Sequence, residues 1–526
     1  LSAAVTGVGA LGGLSACVTA AGESASPIPG HVASAVPSRA QLAGWLQQLH
    51  DFGPIRATGT PQCRAFEEFL AVEFAKLGCT VERDQFKLTS WECDLKDCSI
   101  TVQTDPVAGG DRTAPTTTER HTLNVIAYYP FGGSTKGKDA VTGRVLFGGT
   151  GDGSGEEILK KFSAEQLAEA IVVIDMPLAG GGVRGTVKYY PGSFPDPLPE
   201  PVTAPRVASQ GGRGPMAALE GKCRGIIFCY TDVSDEAARY NYLPFSDQHR
   251  KIPALWVGRQ GSDFLKSVSG KATATIRCDA KLTPDARADS LLAILKGETD
   301  EVIYMTTHTD GPNEVNDNGA LGLLAAATSL SKVPKRRRTV VFSLPTGHYA
   351  GGAIRDEVTG SGRRAGTTGN FEKWPQHVDR AVAQIALEQM GAMEWADVDG
   401  KWQATGRPAP ENWIPTPATQ EASRRMVLAT TAGLDPKFSR VGLVESGQAP
   451  GEGGGLRTRG IPGVGLMGSP HYFFRCDPKG VIDKLSPDVM HNQVVMTTRL
   501  LALMDRLSPA QMKGEAPISE AELGRA

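Results

Sequence analysis

Apolar positions along the chain change their rhythm twice. Over residues 39–86, "RAQLAGWLQQLHDFGPIRATGTPQCRAFEEFLAVEFAKLGCTVERDQF" predicts a helix, a loop with glycine and proline, a second helix and then a strand. Leu70, Val72, Phe74 and Leu77 line that second helix, and Gly78 stands where a helix closes. Residues 124–129 read as a further strand with a partner far downstream. From about residue 143 to 279 the texture shifts to short β runs with glycine punctuation: "GRVLFGG", "AIVVIDMPL", "CRGIIFCY", "IPALWVG" and "ATATIRC". Residues 178–205 hold too many glycines and prolines for a buried element and read as an excursion loop. The larger unit resumes with "SLLAILKGETDEVIYMTTH", two strands around a turn at Gly297-Glu298. After it, strand and helix alternate: a strand to His308, helix 319–331, strand 338–344, a glycine-rich loop with a short helix, strand 381–391, helix 419–433, strand 461–468 and a final helix 487–507. That alternation predicts an α/β fold, a mainly parallel (mixed) sheet with helices on both faces, interrupted by a small β-rich domain. The expected division is an export remnant and linker over 1–40, an α/β unit over 41–141 and 280–508, an insertion over 142–279, and a tail over 509–526.

Composition narrows the classes. With 526 residues, 40% hydrophobic and 21% charged, the chain is globular and too long for one core. A net charge of -2 supplies no field for nucleic acid or an anionic membrane, and "KRRR", residues 335–338, reads as a solvated turn before a strand. The first twenty residues are small, apolar and uncharged, and "AGESASPIPG" after them cannot pack. They read as the tail of an export signal. Leu14-Ser15-Ala16-Cys17 resembles the lipobox of bacterial lipoproteins, in which Cys17 would be lipidated; the other reading is a signal cut at an ordinary small-residue site. Both predict an exported protein that meets a membrane only through a lipid anchor, since no later apolar run is long enough to span one. Export permits disulfides. Cys93 and Cys98 bracket a turn and are placed for a local bridge, whereas a strand would hold Cys223 and Cys229 about 20 Å apart. No cysteine pair has zinc-finger spacing.

In sheets of this kind ligands sit beyond the carboxyl ends of the strands. The polar residues there are His308, Asp310 and Asp317 after the first strand, Thr346 and His348 after the second, Glu388 at the end of the third, and Ser469 and His471 after the fourth. Imidazoles and carboxylates converging on one rim are a metal-ligand set. Asp317 also suits the cap of the following helix. Glu388 ends a run that is apolar on both sides, so its carboxylate needs a partner. Ser343 and Ser469 lack the Gly-x-Ser-x-Gly setting of a serine nucleophile.

Over residues 41–508 the chain resembles the co-catalytic zinc aminopeptidase family, which includes bacterial secreted leucyl aminopeptidases and glutamate carboxypeptidases, with an inserted protease-associated domain. The residues that carry the likeness are "GPIRATGTPQCRAFEEFLAVEFAKLG", "IYMTTHTDGPNEVNDNGALGLLAAATSL", "RRTVVFS", "IALEQMG", "GEGGGLRTRGIPGVGL" and "IDKLSPD", in family order. The resemblance implies one or two zinc ions, with His308 as the first histidine ligand, Asp317 as the bridging carboxylate and Glu388 in the slot of an aspartate ligand. The family's glutamate pair, base and ligand, falls on Pro345 and Thr346, and its closing histidine falls on Arg475 with His471 nearby. The expected function is therefore an exported hydrolase of peptide or amide bonds with an altered metal-dependent site. Its ligands would be His308, Asp317, Glu388 and His471, and its acid–base groups His348 and Asp310. Glu445 or Glu452 could swing in from the glycine-rich loop; Glu452 and Arg457, with Arg459 close by, would meet a small-molecule or peptide substrate. Two other readings stand beside it: a catalytically inactive cell-envelope binding protein that retains the fold, and a metal-independent hydrolase using His348.

Overall fold

In the computed structural model the described residues are 27–106, 118–151, 154–177, 189–190, 212–241, 248–333, 335–350, 354–356, 362–416, 420–445, 451–468 and 470–525. Cys17, Ser469 and most of the excursion loop lie outside them. Helices α1 (Arg39–Asp51) and α2 (Pro61–Lys76) come first, each opened by a hydroxyl cap, Ser38 or Thr60. Phe66, Leu70 and Phe74, four residues apart, form the buried stripe of α2, while Val72 is 42% exposed, on the opposite side from the face expected for it. Gly78, at φ +83°, ends the helix.

Strand β1 (Thr80–Glu92) follows, exposed at its start and buried at alternate positions from Asp84 to Ser90. The chain then builds β2 (Cys98–Thr104), β3 (Arg120–Leu123), β4 (Val125–Tyr128), β5 (Val141–Thr150), β6 (Ala170–Met176), β7 (Gly225–Tyr230), β8 (Ala254–Val257) and β9 (Ala272–Cys278). These form one eight-stranded sheet in the order β3-β2-β9-β5-β6-β7-β8-β4. It takes in residues 98–128, ahead of the expected start at 142, because β2 pairs with β9 and β4 with β8. The distant partner of β4 is thus β8.

Strand β10 (Lys281–Leu295) returns antiparallel to β1, and the remaining strands follow: β11 (Thr299–Thr306), β12 (Arg338–Leu344), β13 (Ile354–Asp356), β14 (Gly362–Arg363), β15 (Ala381–Glu388), β16 (Met393–Val398), β17 (Lys401–Pro408), β18 (Glu411–Pro415), β19 (Val441–Leu443) and β20 (Gly463–Gly468). The larger sheet is mixed and ten-stranded, ordered β14-β13-β1-β10-β12-β11-β15-β20-β18-β19. At its centre β12, β11, β15 and β20 are adjacent and parallel. The α/β architecture expected from the alternating pattern is the observed one. The hairpin β16–β17 and strand β18 were not in the pattern reading; Asp399 and Gly400, both at positive φ, make the hairpin turn.

Helices Gly319–Ser331 and Pro487–Arg506 pack with α1 and α2 on one face of this sheet, and Phe371, Trp374 and Leu456 on the other. The first helix starts against β15. A Cβ on Gly319 would lie 2.1 Å from the Leu387 carbonyl oxygen and 2.3 Å from Thr307 Oγ1. Gly319→Ala is therefore expected to cost about 1–3 kcal/mol of stability, measured by urea unfolding; an unchanged midpoint would contradict this close packing.

Arg338 corrects the reading of 335–338 as a solvated turn. It is fully buried, donating to the carbonyls of Met504 and Leu507 at the end of the long C-terminal helix and to the Glu301 carboxylate in β11. Among the described residues no helix is long and apolar enough to cross a membrane. The eight-stranded sheet sits over the strand ends of the larger one: Val315, Tyr349, Tyr472, Phe473 and Phe474 from the rim loops share an apolar cluster with Ile126, Tyr129, Phe228 and Trp256.

Candidate active site

Because the four central strands are parallel, their carboxyl ends place His308, His348, Glu388 and the β20 loop along one rim. The His308 and His348 rings stack, centroids 4.6 Å apart and 9° from parallel, and Tyr349 meets both edge-on. His308 is buried, its Nδ1 donating to the Asp310 carbonyl oxygen at 2.7 Å. His348, a quarter exposed, lies with Nδ1 3.0 Å from Glu452 Oε1. Burial works to lower the His348 pKa, but the Glu452 carboxylate outweighs it and raises the imidazole from 6.5 to about 9. Burial likewise opposes charge on Glu452, yet the imidazolium holds that carboxyl below its ordinary range. The pair is an ion pair at neutral pH.

Glu388 lies beside it. Its Oε1 accepts the Glu452 backbone N–H at 2.7 Å and its Oε2 the Gln389 amide at 3.2 Å. Burial, then the Glu452 charge, pushes the Glu388 carboxyl up. Gly451, at φ +131°, allows this approach, since a Cβ there would stand 2.9 Å from Glu388 Oε1. Arg457 lines a cavity of about 30 Å³ with Glu388, Gln384 and Thr416, room for a water molecule.

Asp310 holds the loop that carries His348. Its Oδ2 accepts Thr58 Oγ1 at 2.5 Å, the Tyr349 N–H at 2.8 Å and the Gly347 N–H at 3.2 Å. Tyr349 in turn donates to Asn316 at 2.7 Å. Asp317 does not cap the helix with its side chain. Both of its oxygens are taken by the Arg56 guanidinium, Nε and Nη2 at 2.7 Å each, and both side chains are fully buried. Thr346 faces α2, its Oγ1 3.7 Å from Cys63 Sγ, which donates to Glu67. Burial raises the Glu67 carboxyl to about 8. His471 is buried in the loop after β20, and Arg475 turns to the short helix Asp235–Ala238 that follows β7, donating to the Glu236 carbonyl.

These arrangements bear on a metal. His308 has the form of a ligand, its Nδ1 spent on a carbonyl and Nε2 left over. The carboxylates differ. Asp317 is closed by Arg56, and each Glu388 oxygen already accepts an N–H. Among the described residues, the group of three or more candidate ligands with donor atoms within 4.8 Å of one another is Cys93, Cys98 and Cys278; His308, Asp317, Glu388 and His471 do not form one. The rim as arranged does not fit a zinc pair. Arg56, Thr58, Tyr349 and Glu67 are the site residues that strand-end reasoning missed. Arg56 and Thr58 stand in "GPIRATGTPQ", next to the second helix.

No protein-family model matches the chain, and no curated protein matches it. Solved structures do. It is similar to a zinc aminopeptidase from Bacillus subtilis, at 13% identity over 90% of this chain and 96% of that one, with a TM-score of 0.56. An aminopeptidase from Aneurinibacillus sp. strain AM-1 matches at 14% identity over 90% and 95%, TM-score 0.54. A peptidase M28 precursor from Shewanella amazonensis SB2B matches at 14% over 89% and 96%, TM-score 0.55. At such identities the likeness is one of fold.

Proposed function

We propose that this protein is an exported hydrolase of peptide or amide bonds, working from an altered aminopeptidase-like site at the ends of β11, β12 and β15. The observation that carries the reading is the His348–Glu452 ion pair, a partly exposed imidazole on a buried carboxylate, stacked on His308 and set beside Glu388. Buried charge kept at the ligand-binding rim of a parallel sheet is costly unless it acts on something. The likeness in fold to zinc aminopeptidases supports a substrate that is a small molecule or peptide bearing an amide.

The zinc that the fold suggests would require Arg56 to release Asp317, so the steps are assigned to the chain's own groups. Glu452 takes a proton from water as its oxygen attacks the amide carbon. His348 gives the proton of its Nε2, the nitrogen turned away from Glu452, to the leaving nitrogen; Glu452 then releases the first proton to solvent as Nε2 takes one up, while Nδ1 keeps its 3.0 Å contact with the carboxylate. Asp310 positions the His348 loop, Arg457 reads a substrate carboxylate, and the eight-stranded unit roofs the rim as an inserted domain. Export rests on the N-terminal segment, with Cys17 as the lipid-anchored residue.

The test is release of chromophore from a panel of amino-acid p-nitroanilides by protein dialysed against chelator, with and without added zinc. Turnover that survives chelation is expected. Loss with chelator and return with zinc would keep the hydrolase but overturn the metal-free steps. Inertness toward every amide and ester, with or without zinc, would overturn the enzyme in favour of an envelope binding protein.

A further inference from the structure

Where the chain leaves the larger sheet and where it re-enters, three cysteines meet. The β1–β10 ladder ends with Glu92 opposite Lys281, and the β2–β9 ladder begins with Cys98 opposite Cys278. Cys93 stands between them. Their sulfurs are 3.5, 3.9 and 3.9 Å apart, and none is bonded to another. A local Cys93–Cys98 bridge was expected from spacing; the third sulfur, equally close to both, changes the chemistry of the place.

We propose that Cys93, Cys98 and Cys278 bind a thiophilic divalent cation, zinc, that clamps the two crossings between the sheets. The geometry is that of thiolates around one ion. A tetrahedral zinc with bonds of about 2.3 Å sets its sulfurs about 3.8 Å apart, within a few tenths of an ångström of all three separations. The Asp94 carbonyl oxygen lies 3.6 Å from Cys93 Sγ and 3.7 Å from Cys98 Sγ, on the edge where a fourth oxygen donor or a water would stand. The backbone is fixed in advance. Thr135 donates its N–H to the Cys278 carbonyl and accepts the Cys278 N–H on Oγ1, and the Asp279 N–H donates to the Asp97 carbonyl. Cys278 is buried and the other two are half-buried, so the site is screened from solvent yet reachable by an ion. On binding, three S–H bonds give three protons to solvent and three Zn–S bonds form; no oxidant is involved. The ion would hold residues 93, 98 and 278 together and so fix the eight-stranded sheet over the rim.

The test uses the full-length protein purified without reductant or chelator. One zinc per chain is expected by elemental analysis, released as three thiols are titrated with a mercurial. After removal of zinc, added cobalt alone is expected to give the near-ultraviolet sulfur-to-cobalt band with three-thiolate intensity. That band should weaken in Cys93→Ser and vanish on zinc addition. The band is specific to thiolates, so it reports this site whether or not the rim hydrolyses amides. A disulfide between any two of the three in the isolated protein, or no cobalt band in the reduced protein, overturns the proposal; both readings are made on the native chain and do not depend on a variant folding.

Discussion

Replacing Arg56 by methionine is expected to lower the free energy of unfolding by about 3–5 kcal/mol, seen as a fall in the urea midpoint. Nε and Nη2 of Arg56 each hold one oxygen of Asp317 at 2.7 Å, and neither side chain reaches solvent. Nη1 donates to the Gly53 carbonyl, and the backbones of Arg56 and Gly311 exchange both hydrogen bonds. One residue thus ties the segment before α2 to the ligand loop after β11. Burial alone pushes the Asp317 carboxyl above its ordinary range, and the guanidinium works against that shift. Removing Arg56 strands a carboxylate that must take up a proton or admit water. Arg56→Lys keeps the charge without the two-pronged geometry and should fall between the two. The double change Arg56→Met with Asp317→Leu should restore most of the loss, because no buried charge is left behind. A double variant no more stable than Arg56→Met would show that the pair is not what the stability depends on.

The same pair shows how far the sequence could be read. Apolar runs of strand length alternating with helical ones gave the four parallel strands. Knowing that ligands gather at their carboxyl ends then put His308, His348 and Glu388 on one rim, where they are. Arg56 escaped because its partner is 261 positions away, and periodicity carries no information about such pairing. Cys278 escaped for the same reason, lying 180 and 185 positions from its two neighbours. Asp310 was correctly placed at the rim, but a list of acid–base residue types could not tell a group that acts on substrate from one that accepts the N–H groups of the next loop. The hairpin β16–β17 carried its signal in Asp399-Gly400, hidden because Trp395-Ala396 breaks the polar–apolar alternation of the strand before it. Arg338 reads as one of four basic residues until the helix end that swallows it is known.

Substitution of His348 by glutamine is expected to cut amide turnover about 10²–10⁴-fold with little change in KM, the range for loss of one acid–base group. The pH dependence makes the claim specific to the ion pair. His348 acts as the acid, so kcat should hold across neutral pH and fall as pH rises through about 9, where the imidazolium loses its proton. Glu452→Gln should weaken turnover by removing the base and move the alkaline limb of the residual activity down from about 9, because burial lowers the imidazole and only the smaller influences of Asp310 and Glu388 still raise it. Stability should follow the same titration. The folded His348 pKa lies above its unfolded value of 6.5, so its contribution is complete below 6.5 and is lost as pH rises through about 9. At about 1.4 kcal/mol per unit that loss is at most about 3.5 kcal/mol and should be missing from His348→Gln. The Glu452 carboxyl, held low, contributes in the opposite sense, its share being lost as pH falls through its depressed value. An alkaline limb that stays in place in Glu452→Gln would mean that some other group sets it, and that Glu452 is not what holds the proton on His348.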